Sequence, residues 1–478
     1  MQRPTRAWRV TCAVVGALAL VCAPGCDRRA DATRARLEFW TLSLKPTFTG
    51  YIESQLDAFE RDRPGVEVVW VDVPFGAVER KLIAAAAAGR APDVINLSDL
   101  MFARFAGAGA FAELSPLLPG DPGGRYHEGA LGVGRVGDGV YALPWYLTTQ
   151  TMILNTGLLA RAGLDESTVA RDWPGLIEQA RPFAEATGER LFTQPLGQDS
   201  QLTMMLHAEG LPPFRENADG ELVADLTRPE IVAFLRDWAE LYRDGALPRQ
   251  AATNGFEHLI DVYQNERVAV LNTGANFLGR VRGVSQRVYD RTAVLPPITG
   301  SLGRAHIAVM PLSVSARTEH PELAAALVWH MTSPEAQLAF CRLAPILPST
   351  PASLDDPFFE GPTEDETAGG LAKIGEARAI VAGSLADAVA FTPALEAWPE
   401  LRRAFEAGFK RVLLADDPAD APLESTLADI ERDWNRILGD MNERRAAQGI
   451  PPATMDAIPT PSPVARVSSL APPAEVAP

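Results

Sequence analysis

Short apolar runs of strand character alternate with longer helical runs in the first part of the chain. The strand-like runs are "LEFWTL" (37–42), "VEVVWVDV" (66–73) and "APDVINLS" (91–98). Between them, residues 51–65 place apolar side chains at helical spacing before Pro64-Gly65, and residues 77–90 are rich in alanine, the best helix former. This order predicts an α/β fold with a mainly parallel sheet, and such sheets bind ligands at the carboxyl ends of their strands.

The rest of the chain is mainly helical in pattern, with two further strand-like runs at 267–277 and 305–315. Residues 320–343 predict two consecutive helices, because Ser333-Pro334 is a helix start signal. The last helical patterns cover 399–415 and 423–441. Residues 446–478 are rich in Pro and Ala and bury little apolar surface, so we expect a disordered tail there.

The first 26 residues have the pattern of an export signal. Arg3, Arg6 and Arg9 precede an apolar run that ends at Ala23 and is shorter than the roughly 20 residues of a membrane span. Cys26 follows Gly25 as in a bacterial lipobox, although Ala23 and Pro24 depart from the usual residues. We therefore expect an extracytoplasmic protein (periplasmic or on the cell surface) with a lipid on Cys26 and a polar tether over 27–36.

Composition and motifs exclude several classes of function. The formal net charge of −17 argues against a nucleic-acid binder, which needs clustered Lys and Arg. The chain has no H-E-x-x-H, G-x-S-x-G, C-x-x-C or Walker motif, and its His residues lack metal-ligand spacing. The sequence therefore predicts no catalytic residues, no metal and no cofactor.

One stretch, "GVGRVGDGVYALPWYLTTQ" (132–150), has two competing interpretations. Gly132, Gly134 and Gly137 have the spacing of a dinucleotide-binding loop, which needs a strand before it and a helix after it. Here Asp138-Gly139 and the alternation that follows predict a hairpin instead. The adjacent aromatic residues at 145 and 146 are then the more informative part of the stretch.

Aromatic side chains near element ends could form a ligand-binding surface, since a flat apolar ring can stack on the C–H face of a sugar. Six aromatic residues have such positions: Trp40, Trp145, Tyr146, Phe277, Phe391 and Trp398. Core packing is the alternative explanation for each of them.

The order of eight segments resembles the solute-binding proteins of carbohydrate-type ABC importers, the family of maltose- and glycerol-3-phosphate-binding proteins. The segments are "FERDRPGVEVVWVDVP", "KLIAAAAAGRAPDVINLS", "GVYALPWYLTTQTMILNTGLLARAGLD", "PEIVAFLRDWAELYRDGALP", "VYQNERVAVLNTGANF", "VLPPITG", "HIAVMPLSVSARTEHPELAAALVWHMTSPEAQ" and "LPST". The resemblance implies a two-lobed periplasmic-binding-protein fold of type II that closes around its ligand. The lobes it implies are 37–146 with 304–350, and 147–303 with 351–445.

The resemblance also implies a set of ligand-binding residues in the cleft. They are Trp40, Thr41, Asn96, Ser98, Asp99, Trp145, Tyr146, Gln201, Gly274, Asn276, Phe277, Phe391 and Trp398. Arg304 and His306 would favour an anionic or highly hydroxylated ligand if they faced the cleft. Asp99 is equally well explained as a helix cap.

The leading hypothesis is thus a monomeric receptor without enzymatic activity, which captures a sugar or polyol and delivers it to an ABC permease. One alternative is a ligand sensor whose closed form engages a membrane signalling protein. The other is an extracytoplasmic carbohydrate-active enzyme using Asp99 with Glu113 or Asp138, although nothing in the sequence sets the spacing of those carboxylates.

Overall fold

The computed structural model describes residues 34–447 and 449–464. Its strands are β1 (Ala35–Leu42), β2 (Val66–Val73), β3 (Val94–Asn96), β4 (Arg135–Val136), β5 (Gly139–Val140), β6 (Ala142–Thr149), β7 (Thr151–Asn155), β8 (Arg190–Phe192), β9 (Phe214–Glu216), β10 (Leu222–Ala224), β11 (Val268–Thr273), β12 (Thr292–Leu295), β13 (Ile307–Val314) and β14 (Leu347–Pro348).

Its helices account for most of the remaining chain. They are α1 (Thr49–Arg61), α2 (Val78–Ala87), α3 (Asp99–Gly107), α4 (Glu128–Leu131), α5 (Thr156–Arg161), α6 (Trp173–Thr187), α7 (Leu202–Ala208), α8 (Pro229–Arg243), α9 (Glu257–Gln264), α10 (Phe277–Val284), α11 (Gln286–Asp290), α12 (Pro321–Met331), α13 (Pro334–Cys341), α14 (Glu364–Ala368), α15 (Ala372–Gly383), α16 (Trp398–Leu414) and α17 (Leu423–Ala447).

The first sheet has the spatial order β14-β6-β13-β3-β1-β2. Strands β2 and β3 each pair in parallel with β1, whereas β13 is antiparallel to both β3 and β6. Strands β1, β2, β3 and β6 therefore all run toward the same edge of the sheet. We call this sheet, with α1, α2, α3, α12 and α13 packed around it, the first lobe; α1, α3, α12 and α13 contact its strands directly.

The second sheet has the order β12-β7-β11-β8 and is joined to the first by a continuous stretch of chain. Strand β6 ends at Thr149 and β7 begins at Thr151, so Gln150 is the residue at which the chain passes from one sheet to the other. In the second sheet Thr273 pairs with Thr151, so β11 ends beside this crossing. We call this sheet, with α5–α11 and α15–α17, the second lobe.

Each lobe has its own apolar core. In the first lobe, Trp145 is fully buried between the rings of Phe39 and Phe340, at centroid distances of 6.2 and 5.4 Å. In the second lobe the largest fully buried side chains include Trp238 and Trp434. A smaller apolar cluster joins Ile307 and Leu347 of the first sheet to Val381 of α15, so the two lobes also share buried contacts beside the crossing segments.

The alternating order predicted for the first part of the chain is confirmed, with β1, α1, β2, α2 and β3 in that sequence and parallel pairing around β1. Ser333 caps α13 by accepting from the amide of Ala336 at 3.2 Å, as its sequence predicts. The mixed α/β architecture follows from these pairings.

The glycine-rich stretch also has the predicted hairpin. Residues 132–134 form a 3₁₀ turn after α4, and β4 and β5 then pair around Gly137, whose φ of +57° suits glycine. A Cβ on Gly134 would overlap the carbonyl oxygen of Ala142. Gly134 is therefore required for close backbone packing and not for a phosphate.

The C-terminal region differs from the expected disordered tail. Helix α17 continues to Ala447, and residues 451–464 pack against the second lobe with Ala453 and Ile458 buried. Burial of these two apolar side chains and the restricted backbone of the prolines offset the conformational entropy lost when the segment becomes ordered. From composition alone, this entropic cost is too high for an ordered segment. Residues 465–478 and the predicted signal with Cys26 lie outside the described residues.

Candidate ligand-binding site

A cavity of about 910 Å³ lies between the two lobes, beside the crossing at Gln150. The first lobe contributes Thr148 at the end of β6 and the loop that follows α13 (341–347). The second lobe contributes Gln201 at the start of α7 and the loop after β11 (274–277). The cavity is thus formed where strand ends of both sheets approach the crossing segment.

The loop after β11 forms one wall of the cavity. Gly274 follows the strand directly, and any Cβ there would overlap the side-chain oxygen of Asn276. Glycine therefore lets the Asn276 amide fold back over the end of the strand. Phe277 then begins α10, and its ring lies 6.0 Å from that of Phe256, so two half-buried aromatic side chains line the same wall.

Gln150 connects the crossing segment to the second lobe through its side-chain amide. Its oxygen accepts from the side-chain nitrogen of Asn272 at 2.5 Å, and its nitrogen donates to Gln201 at 3.4 Å. The side-chain oxygen of Asn272 in turn accepts from the amide of Ile298 at 3.2 Å. The hinge residue is therefore part of a chain of amides that reaches the cavity surface.

The chain returns to the first sheet between β12 and β13, and we call residues 296–306 the second crossing segment. Two basic residues of this segment carry no free positive charge into the cavity. His306 lines it, but burial lowers the pKa of the imidazole to about 4, so the ring is neutral at pH 7. Its Nδ1 accepts from the amide of Phe391 at 3.2 Å. The Arg304 guanidinium donates instead to the carbonyl oxygens of Ser462 and Asp387, at 2.7 and 3.0 Å.

The arginines on the cavity wall are already paired. Arg378 binds the Glu366 carboxylate with both terminal nitrogens, at 2.7 and 2.8 Å, and Arg342 contacts Asp356 at 2.6 Å. The rest of the lining is mainly aliphatic and aromatic, with a few amides and hydroxyls and the Asp365 carboxylate. Its chemistry fits an uncharged ligand with many hydroxyl groups better than an anion.

The residues implied by the resemblance fall into two groups. Gln201, Gly274, Asn276 and Phe277 line the large cavity together. Those that do not line it are Trp40, Thr41, Asn96, Ser98, Asp99, Trp145, Tyr146, Phe391 and Trp398. Asp99 lines a separate cavity of about 370 Å³ between α3 and the C-terminal residues 456–461.

The first-lobe candidates have clear structural contacts in this conformation. Thr41 donates to Asp72 at 2.7 Å and is fully buried within β1, one residue after the buried Trp40. Asn96 donates to the carbonyl oxygen of Pro311 at 3.1 Å and so ties β3 to β13. Ser98 accepts from the amide of Met101 at 3.3 Å and is the N-cap of α3.

The remaining aromatic candidates lie in ring clusters. Tyr146 is half-buried beside Trp145 and Phe340, with ring centroids 5.3 Å from both. Trp398 is buried beside His207 and the indole of Trp434, and Phe391 stacks on His306 at 6.1 Å. None of these rings presents a free face to the large cavity.

Asp99 is the first residue of α3, and its Oδ1 accepts from the next amide, Leu100, at 2.7 Å. Burial raises the pKa of this carboxyl to about 6. The helix cap itself is Ser98, so Asp99 is free of that role.

Many cavity residues carry no strong sequence signal of binding, among them Thr148, Gln150, Phe256 and Arg342. Gln150 could be found from its place in the predicted crossover, because the residue between two strands of different sheets must lie at the hinge. Among the described residues, no cluster of three or more His, Cys, Asp or Glu could hold a metal ion. Within that same part of the chain, no helix has both the length and the apolar character needed to cross a membrane.

The two lobes, the crossing strand and the cleft between them define a class of binding protein. Residues 43–338 match the family of bacterial extracellular solute-binding proteins, and the chain belongs to this family. Its fold is the two-lobed α/β fold of periplasmic binding proteins.

Three similar proteins support this assignment. A solved structure from Synechococcus sp. MITs9220, provisionally named an oligosaccharide periplasmic-binding protein, is 30% identical; the match covers 85% of this chain and 100% of that chain, with a TM-score of 0.73. An ABC substrate-binding protein from Listeria monocytogenes, solved with cycloalternan, is 19% identical; coverage is 85% and 99%, and the TM-score is 0.64. An uncharacterized lipoprotein in the oleD 5′ region of Streptomyces antibioticus is 25% identical over 73% of this chain and 78% of its own length.

Proposed function

We propose that this protein captures an uncharged sugar or polyol in the large cavity between its lobes and delivers it to the permease of an ABC importer. The observation that carries the proposal is the cavity itself, with hinge and strand-end amides beside two aromatic rings and with its arginines neutralised. Hydroxyl groups both donate and accept, so side-chain amides are suitable partners for them.

Within the cavity we assign distinct roles to its side chains. Asn276 and Gln201 would hydrogen-bond ligand hydroxyls, and Phe277 with Phe256 would pack against the C–H face of a sugar ring. Gln150 would respond to a ligand bound at Gln201, because the side-chain nitrogen of Gln150 already donates to Gln201 and so connects it to the crossing segment. Binding energy at Gln201 would then favour the closed arrangement of the lobes.

The names of the similar proteins agree with this ligand class. The Synechococcus protein is provisionally an oligosaccharide binder, and the Listeria protein binds cycloalternan as an ABC substrate-binding protein. The match with this chain covers nearly the whole length of both proteins. We therefore propose a permease as the partner, a monomeric receptor, and binding without chemical turnover.

The decisive experiment is a thermal-shift screen with mono- and disaccharides, oligosaccharides, polyols and sugar phosphates, followed by calorimetry on the best ligand. A ligand that binds only the folded state raises the melting temperature. We expect neutral sugars to give shifts and sugar phosphates to give none. A shift by amino acids or metal ions alone would contradict the proposed ligand class, and conversion of the bound sugar would contradict a binding-only role.

The variant Phe277→Ala provides the site-specific test. It should weaken binding of the identified sugar by about tenfold, or roughly 1.4 kcal/mol, because one wall of the cavity loses its aromatic surface. Val284→Ala is a matched control on the same helix, since Val284 is 66% exposed and does not line the cavity. Equal affinities for both variants would remove Phe277 from the site.

We also propose that the receptor is anchored by a lipid on Cys26. The family is extracellular, and the Streptomyces antibioticus relative is a lipoprotein. The variant Cys26→Ser should move the protein from the membrane fraction to the soluble fraction of the producing cell. Membrane association that survives this change would show that another segment holds the protein.

A further inference from the structure

Residues Pro451–Val464, which we call the C-terminal strap, run along the side of the second lobe that faces α3. Five of the strap's residues are prolines, so it offers few N–H donors, and it is held through both its carbonyl oxygens and its remaining amides. Leu222 and Ala394 donate their amides to the carbonyl oxygens of Ala453 and Ala457, at 2.9 and 2.8 Å. The buried side chains of Ala453 and Ile458 anchor the same half of the strap.

The far end of the strap is held at the second crossing segment. Arg304 donates to the carbonyl oxygen of Ser462 at 2.7 Å, and the amide of Val464 donates to that of Leu302 at 3.0 Å. The strap therefore spans from the core of the second lobe to the hinge region.

Between these attachments the strap forms one wall of the 370 Å³ cavity, and α3 of the first lobe forms the opposite wall. Asp456–Pro461 face Asp99 and Ala103 across this space. Leu100, the next residue of α3, packs against the cluster that contains Ile458. The strap thus borders the gap between the lobes with one side, while other residues such as Thr460 and Ser462 are exposed.

We propose that the C-terminal strap is an intramolecular cover over the part of the cleft beside α3, and that its detachment widens the access of a ligand to the half-buried Asp99. This proposal rests on the function proposed above in one respect: it takes the gap beside α3 as part of the route by which the ligand enters the cleft. Detachment breaks a small number of hydrogen bonds and exposes one large apolar side chain, Ile458. Asp99 is half-buried with the strap in place, and burial raises the pKa of its carboxyl.

Access to this gap can be measured without any sugar, by thiol labelling at Ala103→Cys in a background carrying Cys26→Ser. Cys341 is buried and its pKa is raised by burial, so it gives a low background. Two chains are compared, one ending at Val464 and one ending at Gly449. We expect the introduced cysteine to react at least ten times faster in the shorter chain.

Ala84→Cys is the matched control, because Ala84 is exposed on α2 of the same lobe and far from the strap. Its labelling rate should be the same in both chains. Equal rates for Ala103→Cys in the two chains would overturn the proposal. If the shorter chain does not fold, Arg304→Gln in the longer chain, which releases one attachment, should accelerate labelling in the same direction.

Detachment itself is tested by hydrogen exchange in the unmodified chain. The amide of Ala394, which donates to the strap, should exchange at least a hundred times faster than the buried ladder amides of β7, because local opening needs only the strap to leave. Exchange of Ala394 as slow as that of β7 would show a permanent wall and refute a detachable cover.

Discussion

Trp145 provides the sharpest test of whether a conspicuous aromatic residue belongs to the binding site or to the core. Its side chain is 0% exposed and contacts Phe39, Tyr146 and Phe340. A buried indole removes roughly 200 Å² from water, which at about 25 cal/mol per Å² gives an upper bound of about 5 kcal/mol. We expect Trp145→Ala to lower the free energy of unfolding by about 3–5 kcal/mol, within the range measured for such truncations.

The measurement is urea unfolding followed by far-ultraviolet circular dichroism, since removing a tryptophan alters the fluorescence signal itself. Because a two-lobed protein can unfold in two steps, the transition of the first lobe has to be fitted separately. Ligand affinity is then determined well below the unfolding transition. The folded fraction of Trp145→Ala should bind the identified sugar as wild type does. Phe277→Ala should instead keep wild-type stability and bind the sugar more weakly.

Two outcomes would refute this reasoning. One is a Trp145→Ala protein that unfolds within about 1 kcal/mol of wild type, because core truncations of this size cost more. The other is a stable, folded variant that has lost its affinity for the ligand. Either outcome would support the ligand-binding role of Trp145 that the family resemblance implies.

Two further predictions concern stability. Gly134→Ala should destabilise the protein by about 2 kcal/mol or more, since its Cβ would overlap the backbone at Ala142, whereas Gly132→Ala has open space and should be nearly neutral in the same urea assay. Burial lowers the pKa of both His207 and His306 to about 4, so the unfolded chain binds these protons first as the pH falls. Their contribution to stability should therefore be complete above about pH 6.5 and be lost between about pH 6.5 and 4, by roughly 2 kcal/mol per histidine at pH 5. His306→Gln should flatten this part of the pH–stability curve, and an unchanged slope would contradict the assignment.

The sequence predicts the fold well because its signals are local. The alanine-rich run before Gly89 and the Ser333-Pro334 start each describe a helix that the structure contains, and Gly89 has the positive φ of a helix C-terminus. The ordered strap could not be predicted from the sequence, because the contacts that hold it are not local. Its order depends on two buried side chains and on amides of distant segments such as Leu222, and no local pattern reports such contacts.

The candidate site could be predicted only in part. Residues after a strand end, such as Gly274 and Asn276, can be placed at the cleft because parallel strands share an edge. Whether an aromatic ring faces a cavity or a core depends on which face of its strand is covered, and this is set by tertiary packing. Trp145 and Tyr146 are neighbours on β6 and would face opposite sides of a regular strand. The register shift between Met310 and Pro311 of β13 lies beside them, and both rings contact Phe340 of α13.

The crossing of the chain between the lobes has a consequence for how the protein is made. In the first sheet β3 pairs with β13. The partner of Asn96 is Leu312, about two hundred residues later in the chain, so this part of the ladder can form only after Leu312 has been made. The second sheet draws mainly on the chain between these points. Pairings of such long range form slowly, because the entropy of closing a long loop is lost before the contacts are gained. The first sheet can therefore close only after β13, which ends at Val314, and β14 at Leu347–Pro348 have been made.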